Sequence, residues 1–303
     1  MPTSHVAFLG IGLMGAPMTR NLLDAGFPMT LWNRTASKCE PFRGQADIAA
    51  SPAKAVADAD IVITMLENGD VVEDVLIRQG AMDALKSGAV LVDMSSVQPS
   101  LARRHGSLAT ERGAGYLDAP VSGGTRGAEA GTLSIMAGGA ATDLEQAAPA
   151  LSALGKVTHI GPVGAGQLAK LANQAIVGVT IGAVSEALLL AARGGADPEA
   201  VREALMGGFA GSRILEQHGQ RMIDRDFAPG APARIQLKDL RMILDEARAE
   251  GLTLPLAQQA HNGYLSLVAN GHADVDHSGL LLELEHVNGA RLGGGRSGAG
   301  GKD

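Results

Sequence analysis

The sequence predicts an α/β fold: a doubly wound parallel sheet at the N-terminus, then a long interdomain helix and an all-α domain. Three observations carry this expectation. Short apolar runs alternate with helical stretches through the first half, a glycine-rich turn joins the first run to the first helix, and strand patterns stop after about Gly161. Such alternation marks βαβ units, whose helices cover both faces of a parallel sheet. The length of 303 residues also exceeds what one hydrophobic core usually serves.

Strands are expected at residues 6–9, 29–32, 61–65, 90–94 and 116–119, each an apolar run bounded by Gly, Pro, Asp or Ser. Further strands fit 133–137 and 157–160. Between them, 17–25, 52–57, 71–77 and 101–112 read as helices. Residues 167–193 form one long helix, apolar almost all round, which suits burial between domains or subunits. From 198 to 288 the pattern stays helical, with breaks at Gly207-Gly208, 229–232, Gly251 and Asn270-Gly271. The expected domains are therefore 1–162 (the sheet), 163–194 (the interdomain helix), 195–290 (an all-helical substrate and oligomerisation domain) and 291–303 (a disordered Gly-rich tail).

Composition narrows the function. Aromatic residues at 3% leave no stacking platform for single-stranded nucleic acid, and a net charge of −7 disfavours a phosphate-tracking groove. The lone Cys39 cannot form an internal disulfide, which fits a reducing, cytoplasmic compartment. Residues 1–5 show no secretory signal. The apolar stretch 175–192 contains Thr180, Ser185 and Glu186 and fits a buried helix better than a membrane span, so a soluble protein is expected. His261, His272, His277 and His286 show no ligand spacing; they read as surface or capping residues, with Asp276 or Ser278 capping the last helix, and no metal is expected.

Gly10-Ile11-Gly12-Leu13-Met14-Gly15 follows the first strand and opens a helix. This is the Rossmann context for a dinucleotide. Gly10 permits the tight turn, Gly12 the approach of the pyrophosphate, and Gly15 the packing of helix on strand, while the helix N-terminus offers unpaired N–H groups. Where an NAD enzyme usually places a carboxylate after the second strand, this chain has Asn33-Arg34-Thr35. Nothing there repels a 2′-phosphate, and Arg34 can pair with one, so NADP(H) is preferred and NAD(H) remains possible.

Three further segments carry candidate chemistry. Asp118-Ala119-Pro120-Val121-Ser122-Gly123-Gly124 ends a strand, and Ser122, Gly123 and Gly124 offer a hydroxyl and two unhindered N–H groups suited to a carboxylate. Taken alone, the segment fits a glycine turn equally well. Lys170, Asn173 and Gln174 stand at i, i+3 and i+4 at the start of the long helix, sharing one face. A lysine on a mostly buried helix is costly unless paired or used, and burial suits it to proton transfer near neutrality; the alternative is snorkelling to solvent. Lys238-Asp239 sits in an amphipathic helix, where a lysine on its own is usually a solvated charge.

Together these four motifs resemble those of the β-hydroxyacid dehydrogenase family, over residues 6–287. The resemblance implies that Lys170 is the catalytic acid/base, that Ser122, Gly123 and Gly124 hold the substrate carboxylate, and that Asn173 orients substrate with Gln174 beside it. It also implies that Lys238 lies beside the nicotinamide, that Ser96 contacts the cofactor and that Met65-Leu66 line its site. Lys170-Leu-Ala-Asn-Gln174, Gly211-Ser212, Asp224-Arg-Asp-Phe227 and Asp276-His277-Ser278 are most similar to the tartronate semialdehyde reductase branch. Asn33-Arg34-Thr35 instead resembles the NADPH-dependent glyoxylate/succinic semialdehyde reductases. The expected partner is a small carboxylate-bearing aldehyde or hydroxyacid, and the long apolar helix points to a homodimer or homotetramer. The competing class is a dinucleotide-binding protein without catalysis, against which Lys170, Asn173 and the Ser122 loop speak.

Overall fold

The structure, a computed structural model, describes residues 4–293. The chain divides into two compact units, the first ending at Lys170 and the second beginning at Leu171.

The first unit is built on one sheet of nine strands: β1 (Val6–Leu9), β2 (Met29–Trp32), β3 (Asp47–Ile48), β4 (Ile61–Thr64), β5 (Val90–Asp93), β6 (Gly115–Asp118), β7 (Val121–Ser122), β8 (Leu133–Gly139) and β9 (Gly155–Gly161). The strand order is β3-β2-β1-β4-β5-β6-β8-β7, with β9 beside β8. Strands β1, β2, β4 and β5 are wholly buried, as apolar runs in a sheet covered on both faces must be. Alternation assigns the faces. Val6, Phe8, Ile61 and Ile63 belong to one apolar cluster, whereas Ala7, Leu9, Val62 and Leu91 belong to another.

Pairing is parallel from β3 through β6, but β8 runs antiparallel to both β6 and β7. A parallel return needs a long crossover, and here only β7 and a short helix separate β6 from β8. The helices of this unit are α1 (Gly15–Asp24), α2 (Pro52–Val56), α3 (Gly69–Glu73), α4 (Pro99–Glu111), α5 (Gly124–Glu129) and α6 (Ala141–Ser152).

Helix α7 (Ala165–Arg193) starts in the first unit and continues into the second. Among the described residues it is the one helix long and apolar enough to cross a membrane, and 33% of its most apolar stretch is buried. The second unit adds α8 (Pro198–Met206), α9 (Gln220–Asp224), α10 (Ala233–Ala249), α11 (Pro255–Ala269) and α12 (Leu280–Asn288) around a core that includes Ile181, Leu188, Leu240, Tyr264 and Leu281. Arg225 ends α9 at φ 59° and pairs through both guanidinium branches with Glu285 at 2.5 and 2.9 Å. The expected tail lies outside the described residues from 294 onward, while Leu292 is buried in the core of this unit.

Candidate active site

Strand register gathers the loops that matter. Leu9, Thr64, Asp93 and Asp118 stand side by side across β1, β4, β5 and β6, each the last residue of its strand. The glycine turn, Met65-Leu66, Ser95-Ser96 and the segment 119–124 therefore leave the sheet at its carboxyl edge, where open α/β sheets bind ligands.

Gly10 has φ +111°, and a Cβ there would collide with the Met65 carbonyl oxygen. A Cβ on Gly15 would collide with the Gly10 carbonyl oxygen, whereas one on Gly12 would meet nothing. Two glycines thus compact the turn and the third leaves open space before α1, the cradle a pyrophosphate needs. Within the turn Ile11 is buried, Met14 half-buried and Leu13 exposed. The Ile11 N–H donates to Asn33 Oδ1 at 2.9 Å, and Asn33 Nδ2 donates to the Thr35 carbonyl at 3.0 Å. Asn33 is thereby committed to holding the end of β2 against the turn, and Arg34 and Thr35 are exposed there. These residues fit a nicotinamide dinucleotide.

Beneath this edge runs a buried polar chain. Asp93 Oδ1 accepts from Thr64 Oγ1 at 2.7 Å and from the Ser95 N–H at 3.0 Å, and Ser95 Oγ accepts from the Leu66 N–H at 3.0 Å. Burial pushes the Asp93 carboxyl above its ordinary value despite these donors. Ser96 is half-buried beside the chain.

The start of α7 is anchored on the same edge. The N–H groups of Gly164 and Gln167 donate to the two oxygens of Asp118, each at 2.7 Å. Burial pushes Asp118 up to about 6, against the pull of those two bonds. Lys170, only 9% exposed, donates from Nζ to the Val121 carbonyl at 2.9 Å. It thus meets the backbone one residue before Ser122, which is half-buried and followed by the exposed Gly123 and Gly124. A buried lysine and a loop with a hydroxyl and glycine N–H groups meet at Val121, an arrangement compatible with proton transfer to a carboxylate-bearing substrate.

The remaining predicted residues lie in the second unit. Asn173 Nδ2 donates to Gln174 Oε1 at 2.8 Å, and Gln174 Nε2 donates to Asp239 Oδ2 at 2.7 Å and Gln236 Oε1 at 3.2 Å. Gln236 returns a bond to the Gln174 carbonyl at 3.0 Å. Lys238 Nζ pairs with Asp239 Oδ1 at 3.1 Å. Asp239 therefore links Lys238 to the amides of α7.

Asp118, Gln167 and Asp239 were not distinguished as site residues by the sequence. Asp118 and Asp239 are carboxylates at buried positions, a signal sequence periodicity partly exposes, while Gln167 lies one turn before Lys170 on its face of the helix. The expectation for the histidines needs one correction: His277 is buried, its Nε2 lying 3.1 Å from Nε2 of His218. His218, Asp276 and His277 bring potential ligand atoms within 4.8 Å of one another. The Asp276 carboxylate, however, accepts from Ser278 N and Oγ, Gly230 N and Ala231 N, and pairs with Arg221 at 3.0 Å. A carboxylate so engaged is a structural knot rather than a cation ligand. Asp276 caps the 277–279 turn that leads into α12, whereas the cap of the last helix itself, expected at Asp276 or Ser278, is Gly279, which makes no side-chain bond.

Comparison with known proteins agrees with this geometry. Residues 5–161 match the family model of the NAD binding domain of 6-phosphogluconate dehydrogenase. Residues 164–284 match that of the NAD-binding domain of NADP-dependent 3-hydroxyisobutyrate dehydrogenase. The chain is 43% identical to 2-hydroxy-3-oxopropionate reductase of Escherichia coli, over 92% of this chain and 97% of that protein. It is 35% identical to 2-(hydroxymethyl)glutarate dehydrogenase of Eubacterium barkeri, over 96% and 98%. Among solved structures, Mycobacterium tuberculosis 3-hydroxyisobutyrate dehydrogenase with L-serine superimposes with a TM-score of 0.85 at 33% identity, covering 93% of this chain and 99% of that one. With a nicotinamide-dinucleotide fold in one unit and homology along nearly its whole length, the chain belongs to the β-hydroxyacid dehydrogenase family of NAD(P)-dependent oxidoreductases acting on a CH–OH group.

Proposed function

We propose that the chain reduces tartronate semialdehyde (2-hydroxy-3-oxopropanoate) to glycerate, reversibly and with NADPH preferred. The observation that carries this is the 2.9 Å bond from Lys170 Nζ to the Val121 carbonyl, which supports a buried ammonium working beside the Ser122 loop. Similarity to the E. coli 2-hydroxy-3-oxopropionate reductase supports the substrate.

The glycine turn, Asn33 to Thr35, Met65, Leu66 and Ser96 would hold the cofactor, with Lys238 at its nicotinamide end. When bound, it supplies the hydride to the aldehyde carbon. Ser122, Gly123 and Gly124 bind the substrate carboxylate and so fix the position of the carbonyl. Lys170 gives its proton to the carbonyl oxygen as the alkoxide develops, and takes it back from the hydroxyl in the oxidative direction. Asn173 adds a hydrogen bond to that oxygen, and Gln174 steadies Asn173. The chain is expected in the cytoplasm, working as a homodimer or homotetramer.

The test is the initial rate of NADPH oxidation with tartronate semialdehyde, beside NADH, for the wild type and Lys170→Ala. Turnover favouring NADPH and lost by at least about a hundredfold in Lys170→Ala, with cofactor affinity kept, is expected. Undiminished turnover in the variant refutes the acid role. NADPH oxidation only with glyoxylate or succinic semialdehyde, or NADP+ reduction only with 3-hydroxyisobutyrate, moves the substrate within the family, and cofactor binding without any turnover makes the chain a silent dinucleotide binder.

A further inference from the structure

Gln167 is 1% exposed and stands one helical turn before Lys170. Both ends of its side-chain amide are engaged. Nε2 donates to the Ser95 carbonyl at 2.8 Å, and Oε1 accepts from the Val97 N–H at 3.1 Å. The amide therefore grips the backbone on both sides of Ser96. The backbone N–H of the same residue binds the Asp118 carboxylate at 2.7 Å, and Ser95 in turn holds the Leu66 N–H through its hydroxyl.

We infer that Gln167 is a positioning residue that locks the 95–97 loop, on the cofactor side, to the helix turn carrying Lys170. One amide joins the end of β5 to α7, Asp118 joins the end of β6 to it, and Lys170 itself reaches the carbonyl of Val121 on β7. With the helix start tied to β5, β6 and β7, Lys170 and the loop flanking Ser96 cannot shift independently. Misplacement by an ångström is enough to cost about a hundredfold in rate, so such a lock has a kinetic consequence. The inference rests on Lys170 as the proton donor and on dinucleotide binding at the carboxyl edge of the sheet.

The chemistry of the lock is specific. Its two backbone partners demand one donor and one acceptor from the same planar group, at a buried site. Methionine supplies neither. A glutamate carboxylate accepts from Val97 but repels the Ser95 carbonyl, whereas a protonated glutamic acid supplies O–H to Ser95 and C=O to Val97 and so restores both bonds.

The experiment uses the full-length Gln167→Met and Gln167→Glu variants at a temperature where circular dichroism shows them folded. NADPH affinity by fluorescence and kcat with tartronate semialdehyde are followed from pH 5.5 to 9, each as a ratio to wild type at the same pH. In Gln167→Met a loss of about ten- to a hundredfold in kcat, with weakened NADPH binding, is expected at every pH. In Gln167→Glu both ratios climb toward one as the pH falls. Circular dichroism at each pH separates this acid rescue from recovery of fold, which protonation of a buried glutamate would also bring. If Gln167→Met stays within twofold of wild type in both quantities, or the Gln167→Glu ratios are flat with pH, the lock is refuted. Should Gln167→Met not fold, the Gln167→Glu profile decides. If Lys170→Ala keeps full turnover, the acid assignment falls by itself, and the pH dependence of NADPH affinity in Gln167→Glu still judges the lock.

Discussion

At the scale of single residues, the proposed NADPH preference rests on three side chains at the end of β2. Asn33 bonds to the Ile11 N–H and the Thr35 carbonyl, and Arg34 and Thr35 are exposed at the end of β2. No carboxylate stands at 33–35 to bind ribose hydroxyls or repel a phosphate. Arg34→Ala is expected to weaken NADPH by about tenfold and NADH little, the size of one charge-assisted pairing. Titration of both cofactors by fluorescence checks this, and an unchanged affinity ratio removes the phosphate role. The candidate site residues stood out in the sequence because glycines, a lysine on an apolar helix and a missing carboxylate are each unusual for a physical reason. Gln167 and Asp118 did not, since their partners are backbone groups more than forty positions away, just past β5 for Gln167 and at the start of α7 for Asp118. A sequence shows the donor and the acceptor but not the fold that brings them together.

At the scale of elements, two buried groups oppose each other in pH dependence. Asp118, which anchors the start of α7, is raised by burial from 3.8 to about 6, so the folded state holds its proton more tightly than the unfolded chain. Its contribution to stability is present at low pH and lost as the pH rises through about 6. His277, in the turn before α12, is lowered from 6.5 to about 4, first by burial and then by His218 and Arg221, with Asp276 pulling the other way. It is buried neutral, so its contribution is present above 6.5 and lost as the pH falls toward 4. Each shift is worth about 3 kcal/mol, and the two nearly cancel between pH 4 and 6. Asp118→Asn removes one side of that balance. Relative to wild type, the variant is expected to gain about 3 kcal/mol of stability between pH 4 and 7, read from urea midpoints across that range. A pH-independent difference between the two proteins refutes the buried charge. Elements themselves were legible where a run was apolar and several residues long, as in β1, β4 and β5. The two-residue strands β3 and β7 carry no such pattern, and the antiparallel turn of β8 depends on how little chain lies between it and β6.

At the scale of the whole molecule, α7 raises a question that neither core answers. Leu168, Ile176 and Leu190 are 41%, 68% and 76% exposed, and Ala172, Ala183 and Ala187 are exposed with them. At 3.6 residues per turn all of these fall within about a third of the helix circumference, along about 33 Å of its length. The only exposed charge on that stripe is Glu186. An apolar stripe this long and continuous is what self-association covers, and a two-fold axis would bring it against its own copy. Sedimentation velocity at micromolar concentration should therefore show a dimer or tetramer. Ile176→Glu would place a charge in the middle of the stripe, where an interface could not solvate it, and is expected to weaken association by at least about tenfold. The substitution is to an exposed side chain, so its circular dichroism and thermal midpoint, measured on the same material, separate loss of assembly from loss of fold. A wild type that sediments as a single chain removes the oligomer, and one recovered with membranes after lysis assigns the stripe to lipid instead.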